Sequence, residues 1–243
     1  MPAVGIPDST LTLAALVTWL PFAAFVTIML WTRGRPRLSA TMSLAAVTVA
    51  LAGAVTLLAR HWETGQALES ATTWLVGGEA TIRVGFLLDP LSLLMLLIVA
   101  AISFLVQVYS LGYMAGDPGF ARYYAFMSLF AWAMLNLTLA VTLLQLYIFW
   151  ELVGLSSYLL IGFWYEKFSA SQAGKKAFVM TRLGDVAFFI GILLVLLNFG
   201  NLSIAELNSP RAGFLPPPLI TVAALLIFGG IIGKSAQFPL LTW

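Results

Sequence analysis

Apolar runs of about 20 residues recur along this chain, for example SLAAVTVALAGAVTLLA at 43–59 and PLSLLMLLIVAAISFLVQVYSL at 90–111. Such a run is the length a helix needs to cross the hydrocarbon of a bilayer. Barrel strands would instead alternate apolar and polar residues over about 10 positions. With 61% hydrophobic and 9% charged residues, against about 25% charged in an ordinary soluble domain, the chain reads as an integral membrane protein. In lipid every backbone polar group must be satisfied within the segment, so its spans are helical.

Seven spans are expected, at roughly 11–31, 38–59, 91–113, 123–142, 144–164, 176–197 and from 219 to a point where the pattern falters at Gly233–Pro239. The fold class is therefore all-α, a polytopic bundle. The one exception is the connection from Arg60 to Asp89. There TTWLV and TIRVGFLL flank Gly77-Gly78, which predicts a small extramembrane β-hairpin after span 2. The N-terminus has no basic stretch before its apolar run and reads as a first span, not as a cleaved signal.

Orientation follows from where the basic residues fall. Arg33, Arg35, Arg37, Arg122, Lys167, Lys175 and Lys176 lie in loops after spans 1, 3 and 5, whereas Arg60, Arg83 and Arg211 lie on the other side. The positive-inside rule places the first set in the cytoplasm and the N-terminus outside. The net charge is +2 and the basic residues sit in short loops, which argues against nucleic acid. There is no cysteine, which removes disulfides, thiolate-held iron–sulfur clusters and Cys-based zinc sites. No G-x-G-x-x-G or P-loop pattern is present, so a nucleotide or flavin site in this chain is not expected.

Ionisable residues inside such segments are the chemical signal. Glu151 lies in LYIFWELVGLSSYLLIGFW, Arg182 and Asp185 in KKAFVMTRLGDVAFFIGILLVLL, and Lys234 closes LITVAALLIFGGIIGK. A charge at the bilayer centre costs at least ~2.5–3.5 kcal/mol, so acids and bases on three spans suggest a charged cargo, most simply a proton. Tyr147, Gly154, Leu155 and Tyr158 share the helical face of Glu151. Gly154 admits a close neighbour, and the tyrosines can hydrogen-bond. Arg182 and Asp185, three apart, can pair on one face. The plainer reading is a buried carboxyl and an ion pair that only hold helices together. Lys234 follows Gly229, Gly230 and Gly233 and precedes Pro239, as expected where a broken helix lines a cavity; its plain alternative is snorkelling at a helix end. Lys175 and Lys176 read as charges at the cytoplasmic edge, Lys175 being seven residues before Arg182 and able to share its face. His61, the sole histidine, reads as interfacial, and the tryptophans mostly as bilayer anchors.

The stretches GFLLDPLSLLMLLIVAAISFLVQVYSLGYM, FWELVGLSSYLLIGFWYE, KKAFVMTRLGDVAFFIGILL and GKSAQFPLLTW resemble the antiporter-like membrane subunits of respiratory complex I, the NADH:quinone oxidoreductase, and most of all its L type (chain 5). The resemblance runs from about Val84 to Trp243. The large subunit of Mrp-type cation/proton antiporters is similar over the same stretch, as are subunits of membrane-bound hydrogenases and of inorganic-carbon transporters. The resemblance implies a translocase subunit with proton-transfer residues Glu151 and Lys234, a coupling ion pair Arg182 and Asp185 facing a neighbouring antiporter-like subunit, and possible cytoplasmic access at Lys175 and Lys176. It also implies a discontinuous seventh span. No cofactor is expected in this chain; flavin, iron–sulfur clusters and quinone belong to partner subunits. The location implied is the bacterial inner membrane. Residues 1–90 then form two leading spans with the hairpin, and 91–243 form span 3 and most of a first antiporter-like repeat (spans 4–7). The family's two inverted five-helix repeats extend beyond this, so a complete proton path is expected to need a longer chain or another polypeptide. The rivals are a subunit of an Mrp-type antiporter and, from another class, a purely structural subunit.

Overall fold

The computed structural model describes residues 4–61, 65–77, 80–209 and 216–243. The chain packs as two compact units that interleave in sequence. One comprises Ala3–Ser70 and Phe86–Leu139, the other mainly Ala71–Gly85 and Ala140–Trp243.

The first unit is built on α1 (Asp8–Thr27, continued by a π-helical turn at Ile28–Thr32), α2 (Pro36–His61), α3 (Pro90–Tyr113) and α4 (Phe120–Thr138). The start of α3 is written in the sequence: Asp89 accepts the backbone N–H of Ser92 at 2.7 Å, and Pro90 takes the first helical position, where its missing N–H matters least. The core is made of small and branched apolar residues, including Ala14, Val17, Ala50, Ala54, Leu93, Leu96, Ala100 and Leu135. Small side chains let helices approach closely in lipid, where dispersion rather than the hydrophobic effect drives their packing. A short strand β1 (Val4–Gly5) pairs in parallel with Leu68 and Glu69, a long-range contact the local pattern could not foretell.

Strands β2 (Leu68–Gly77) and β3 (Ala80–Leu88) form the hairpin expected between spans 2 and 3. Gly78 of the expected turn lies outside the described residues, as does Arg211.

The second unit contains α5 (Leu143–Ile161), α6 (Phe168–Phe199), the single turn α7 (Ile204–Leu207) and α8 (Pro217–Lys234). Thr142 caps α5 by accepting the N–H of Gln145, and α6 stops at Gly200, whose φ of +70° provides a left-handed cap. Gln145 also bonds both backbone groups of Gly85, accepting from its N–H at 3.0 Å and donating to its carbonyl at 2.9 Å. A side-chain amide thus extends the hairpin's ladder onto the first turn of α5.

Helices form at all seven expected spans. Six are long and apolar enough to cross a membrane by length and composition, and α4 is the seventh. Its Arg122, Tyr123, Tyr124 and Asn136 dilute the apolar run, while its Tyr124, Ala125, Ala133 and Leu135 are buried among the other helices of its unit. The chain is an integral membrane protein. The seventh span breaks where expected: α8 ends at Lys234, and residues 235–243 run in turns, with Ala236 at a positive φ of 49°.

Candidate functional site

The ionisable residues of α5, α6 and α8 converge within the second unit. Arg182 pairs with Glu151, and Lys234 Nζ lies 3.9 Å from Asp185 Oδ2. The i, i+3 spacing allowed Arg182 and Asp185 to pair with each other along α6. Among the described residues the ion pairs these groups make run between helices instead. Arg182 faces α5 and Asp185 faces α8, because each finds an oppositely charged partner on the helix packed against it. A cross-helix pair neutralises two segments at once, which an intrahelical pair cannot do.

Glycines set the approach that makes this possible. A Cβ on Gly184 would lie 2.7 Å from the carbonyl of Gly229, and one on Gly191 3.0 Å from the carbonyl of Ala223, so α6 and α8 run almost backbone to backbone. Gly184 immediately precedes Asp185, and Gly233 immediately precedes Lys234. The contact that lets the helices touch therefore also brings the carboxylate to the ammonium. On the α5 side, a Cβ on Gly154 would stand 2.5 Å from Lys234 Nζ. The glycine one turn after Glu151 is thus the seat of the lysine, the close neighbour that Gly154 admits.

Burial separates the four charges. The Asp185 side chain is 1% exposed and that of Lys234 19%, against 39% for Arg182. Both carboxylate oxygens of Glu151 are shielded from solvent. The Arg182 guanidinium also lies 4.6 Å from the centroid of Phe178, one turn earlier on its own helix. Tyr147, on the face of Glu151, lies beside that carboxylate and packs edge-on against Phe188 at 5.4 Å. Tyr158 meets Phe178 at 5.5 Å, whereas Leu155 is exposed, so the shared face is only partly used for the site. Lys175 and Lys176 lie on the exposed surface of the first turns of α6, away from the buried pairs. His61 is the last residue of α2, its Nδ1 2.9 Å from the carbonyl of Leu57.

One participant is not legible in the sequence. Trp150 donates its indole N–H to Asp185 Oδ1 at 2.6 Å, and its ring lies 5.8 Å from Lys234 Nζ. Grouping tryptophans as bilayer anchors hid it. The available signal was its place four residues before Gly154, on the helical face that receives the lysine. Trp243, itself exposed, donates to the carbonyl of Gly233 at 2.9 Å across the turns that follow α8.

Chemically the cluster offers two acids and two bases on three helices, each close enough to feel the others, with Asp185 and the Glu151 carboxylate oxygens buried. Such a group can hold, pass or exchange a proton. Among the described residues no set of His, Asp and Glu is grouped to hold a metal ion.

The chain is similar to known membrane proteins over most of its length. Residues 140–243 match the family described as "NADH:quinone oxidoreductase/Mrp antiporter, TM", and residues 74–124 match "NADH-Ubiquinone oxidoreductase (complex I), chain 5 N-terminus". The chain is 45% identical over 175 residues to an NAD(P)H-quinone oxidoreductase chain 5 of Synechocystis, covering 70% of this chain and 26% of that protein. The chain spans less than a third of the length of the first curated relatives it matches. Its fold is similar to a chain of an archaeal membrane-bound sulfane sulfur reductase (TM-score 0.77, 20% identity, 95% of this chain and 46% of that one). It is also similar to a chain of the Mrp complex of Dietzia (TM-score 0.75, 25% identity, 97% and 24%).

Proposed function

The chain belongs to the antiporter-like family of membrane subunits, of the complex I chain 5 type and related to the Mrp antiporters, and from that we propose that it carries part of the proton path of an NADH:quinone oxidoreductase. The observation that carries this reading is the convergence of Glu151–Arg182 and Asp185–Lys234 at a broken helix end in one compact unit. A set of charges made only to hold helices together has no need of a lysine lodged against a glycine.

In this reading Glu151 takes up a proton and becomes neutral, which deprives Arg182 of its partner. The released positive charge then acts on Lys234 through a medium of low dielectric, where Coulomb interactions are strong. It favours transfer of the ammonium proton onward. Asp185 opposes that release and returns the lysine to its protonated state. Each step needs only small side-chain movements, since Arg182 already pairs with Glu151 and Lys234 Nζ lies 3.9 Å from Asp185.

The wider assignments belong to the same proposal. Redox chemistry, with its flavin, iron–sulfur clusters and quinone, resides in partner subunits. Residues 1–90 hold two leading spans with the hairpin, and residues 91–243 hold span 3 and most of the first antiporter-like repeat (spans 4–7). Lys175 and Lys176 mark a cytoplasmic entrance, the N-terminus faces outside, and the chain sits in a bacterial inner membrane beside a neighbouring antiporter-like subunit that senses Arg182 and Asp185.

A second reading, a subunit of a cation/proton antiporter, is favoured by the similarity to the Dietzia Mrp complex. One experiment separates them. The native complex is purified with its partners, placed in vesicles and followed with a pH-sensitive dye. Acidification that requires NADH and quinone and is lost in Glu151→Gln supports the first reading. Transport driven by a Na⁺ gradient without an electron donor supports the second, and normal pumping by Glu151→Gln overturns both.

A further inference from the structure

Asp185 has two partners on different helices, and their geometries differ. The indole N–H of Trp150 reaches Oδ1 at 2.6 Å, while Lys234 Nζ stays 3.9 Å from Oδ2. A charge-assisted N–H···O bond between ammonium and carboxylate normally closes to about 2.7–2.9 Å. The buried carboxylate is therefore held by the neutral donor and only approached by the charged one. Trp150 is itself fixed: its ring stands edge-on to Phe188 at 5.4 Å and 90°, and Phe188 lies three residues beyond Asp185 on α6. The ring face turned to α8 leaves Lys234 Nζ at 5.8 Å, within cation–π reach.

We propose that Trp150 is a positioning residue of the site, which holds Asp185 by its indole N–H and so keeps Lys234 loosely paired and able to release its proton. The inference rests on the proton-path reading above. It adds that the residues on α5 divide the labour. Glu151 pairs with α6 through Arg182, and its neighbour Trp150 holds the α6–α8 pair apart, so the two ion pairs are joined by one peptide unit. The groups facing this arrangement are Glu151 and Tyr147 from α5, Arg182 and Asp185 from α6, and Lys234 from α8. Phe188 and Gly154 complete the enclosure without charge.

The test uses the complete complex in vesicles, with the initial rate of proton translocation measured against pH. Trp150→Phe keeps an aromatic ring against Phe188 and removes the donor. Freed from the indole, Asp185 closes on Lys234 and the lysine keeps its proton longer. The expected result is a pH–rate profile displaced toward higher pH by about one unit, the tenfold that one hydrogen bond to a charged group contributes at its lower limit. A second variant with 3-benzothienylalanine at position 150 replaces the N–H by sulfur at nearly unchanged shape and is expected to show the same displacement. An unmoved profile in either assembled variant, whatever its rate, overturns the proposal. Failure of the benzothienylalanine variant to assemble also overturns it, since the bond is then a folding contact. Glu151→Gln separates the two levels: if it pumps normally, the proton-path reading fails. If it is inactive while the profile of Trp150→Phe is unmoved, only the role given to Trp150 fails.

Discussion

Gly154 lies directly against the end of Lys234: a Cβ on the glycine would stand 2.5 Å from the lysine Nζ. The obstructed atom is the far end of a flexible side chain, so the fold can yield without moving backbone. Gly154→Ala is therefore expected to assemble normally but to displace the ammonium from its place beside Asp185 and Trp150. Proton translocation in vesicles should fall by up to about 100-fold, the scale on which a misplacement of about 1 Å affects a positioned group, with the amount of assembled complex unchanged. Wild-type translocation by this variant would show that the position of the lysine is unimportant.

Gly184 presents the opposite case. The atoms a Cβ would meet are backbone, the Gly229 carbonyl at 2.7 Å and Gly233 Cα at 3.1 Å. Neither α6 nor α8 can give way locally. Gly184→Ala is expected to destabilise the α6–α8 contact by about 1–3 kcal/mol, lowering the thermal transition of the purified complex and its yield. The contrast between Gly154 and Gly184 separates a site effect from a packing effect, although both positions neighbour the same ion pair.

How far this site could be read beforehand depends on the kind of interaction. The helices were visible because apolar length is a local property, and the break after Lys234 was visible because Gly233 and Pro239 bracket it. The start of α6 at Phe168 was not. Its first two turns, FSASQAGK, are polar enough to look like loop while containing residues a helix tolerates well. Partner choice was the least legible. The spacing of Arg182 and Asp185 allowed a bond along one helix, and only the packing of α5 and α8 against α6 redirects each to another element. Trp150 escaped notice for the same reason, since tryptophans at membrane edges and tryptophans that bond a buried carboxylate look alike in sequence.

The Glu151–Arg182 pair leads to unequal effects of removing its two members. Glu151→Gln leaves a neutral amide opposite a partly exposed guanidinium that can turn to Phe178 or to water. Arg182→Ala leaves a shielded carboxylate without its cation, which costs less than the ~3–5 kcal/mol of breaking a fully buried pair because Arg182 is partly exposed. Arg182→Ala is thus expected to lower stability and assembly more than Glu151→Gln, although both abolish proton translocation. Adding Glu151→Gln to Arg182→Ala should recover most of the lost stability without recovering transport. Quantifying complex on native gels and measuring vesicle acidification for the three variants checks both parts.

Gln145 gives a prediction at the other end of α5. Its amide bonds both backbone groups of Gly85 in β3, and it is 6% exposed. Glu151 lies six residues further along the same helix, so the hairpin and the proton-bearing turn share one rigid element. Gln145→Leu fills similar volume but removes the bonds to the N–H and carbonyl of Gly85 in a partly buried setting, which costs about 1–3 kcal/mol. The expected outcome is faster amide hydrogen exchange across β3, most of all at Gly85, with protection in the middle of α5 unchanged. Because the amide that would be lost is a backbone mimic with no charge, its removal should leave the pH dependence of translocation where it is in the wild type. A displaced pH profile would mean that the hairpin acts on the charge of Glu151 and not only on where its helix begins.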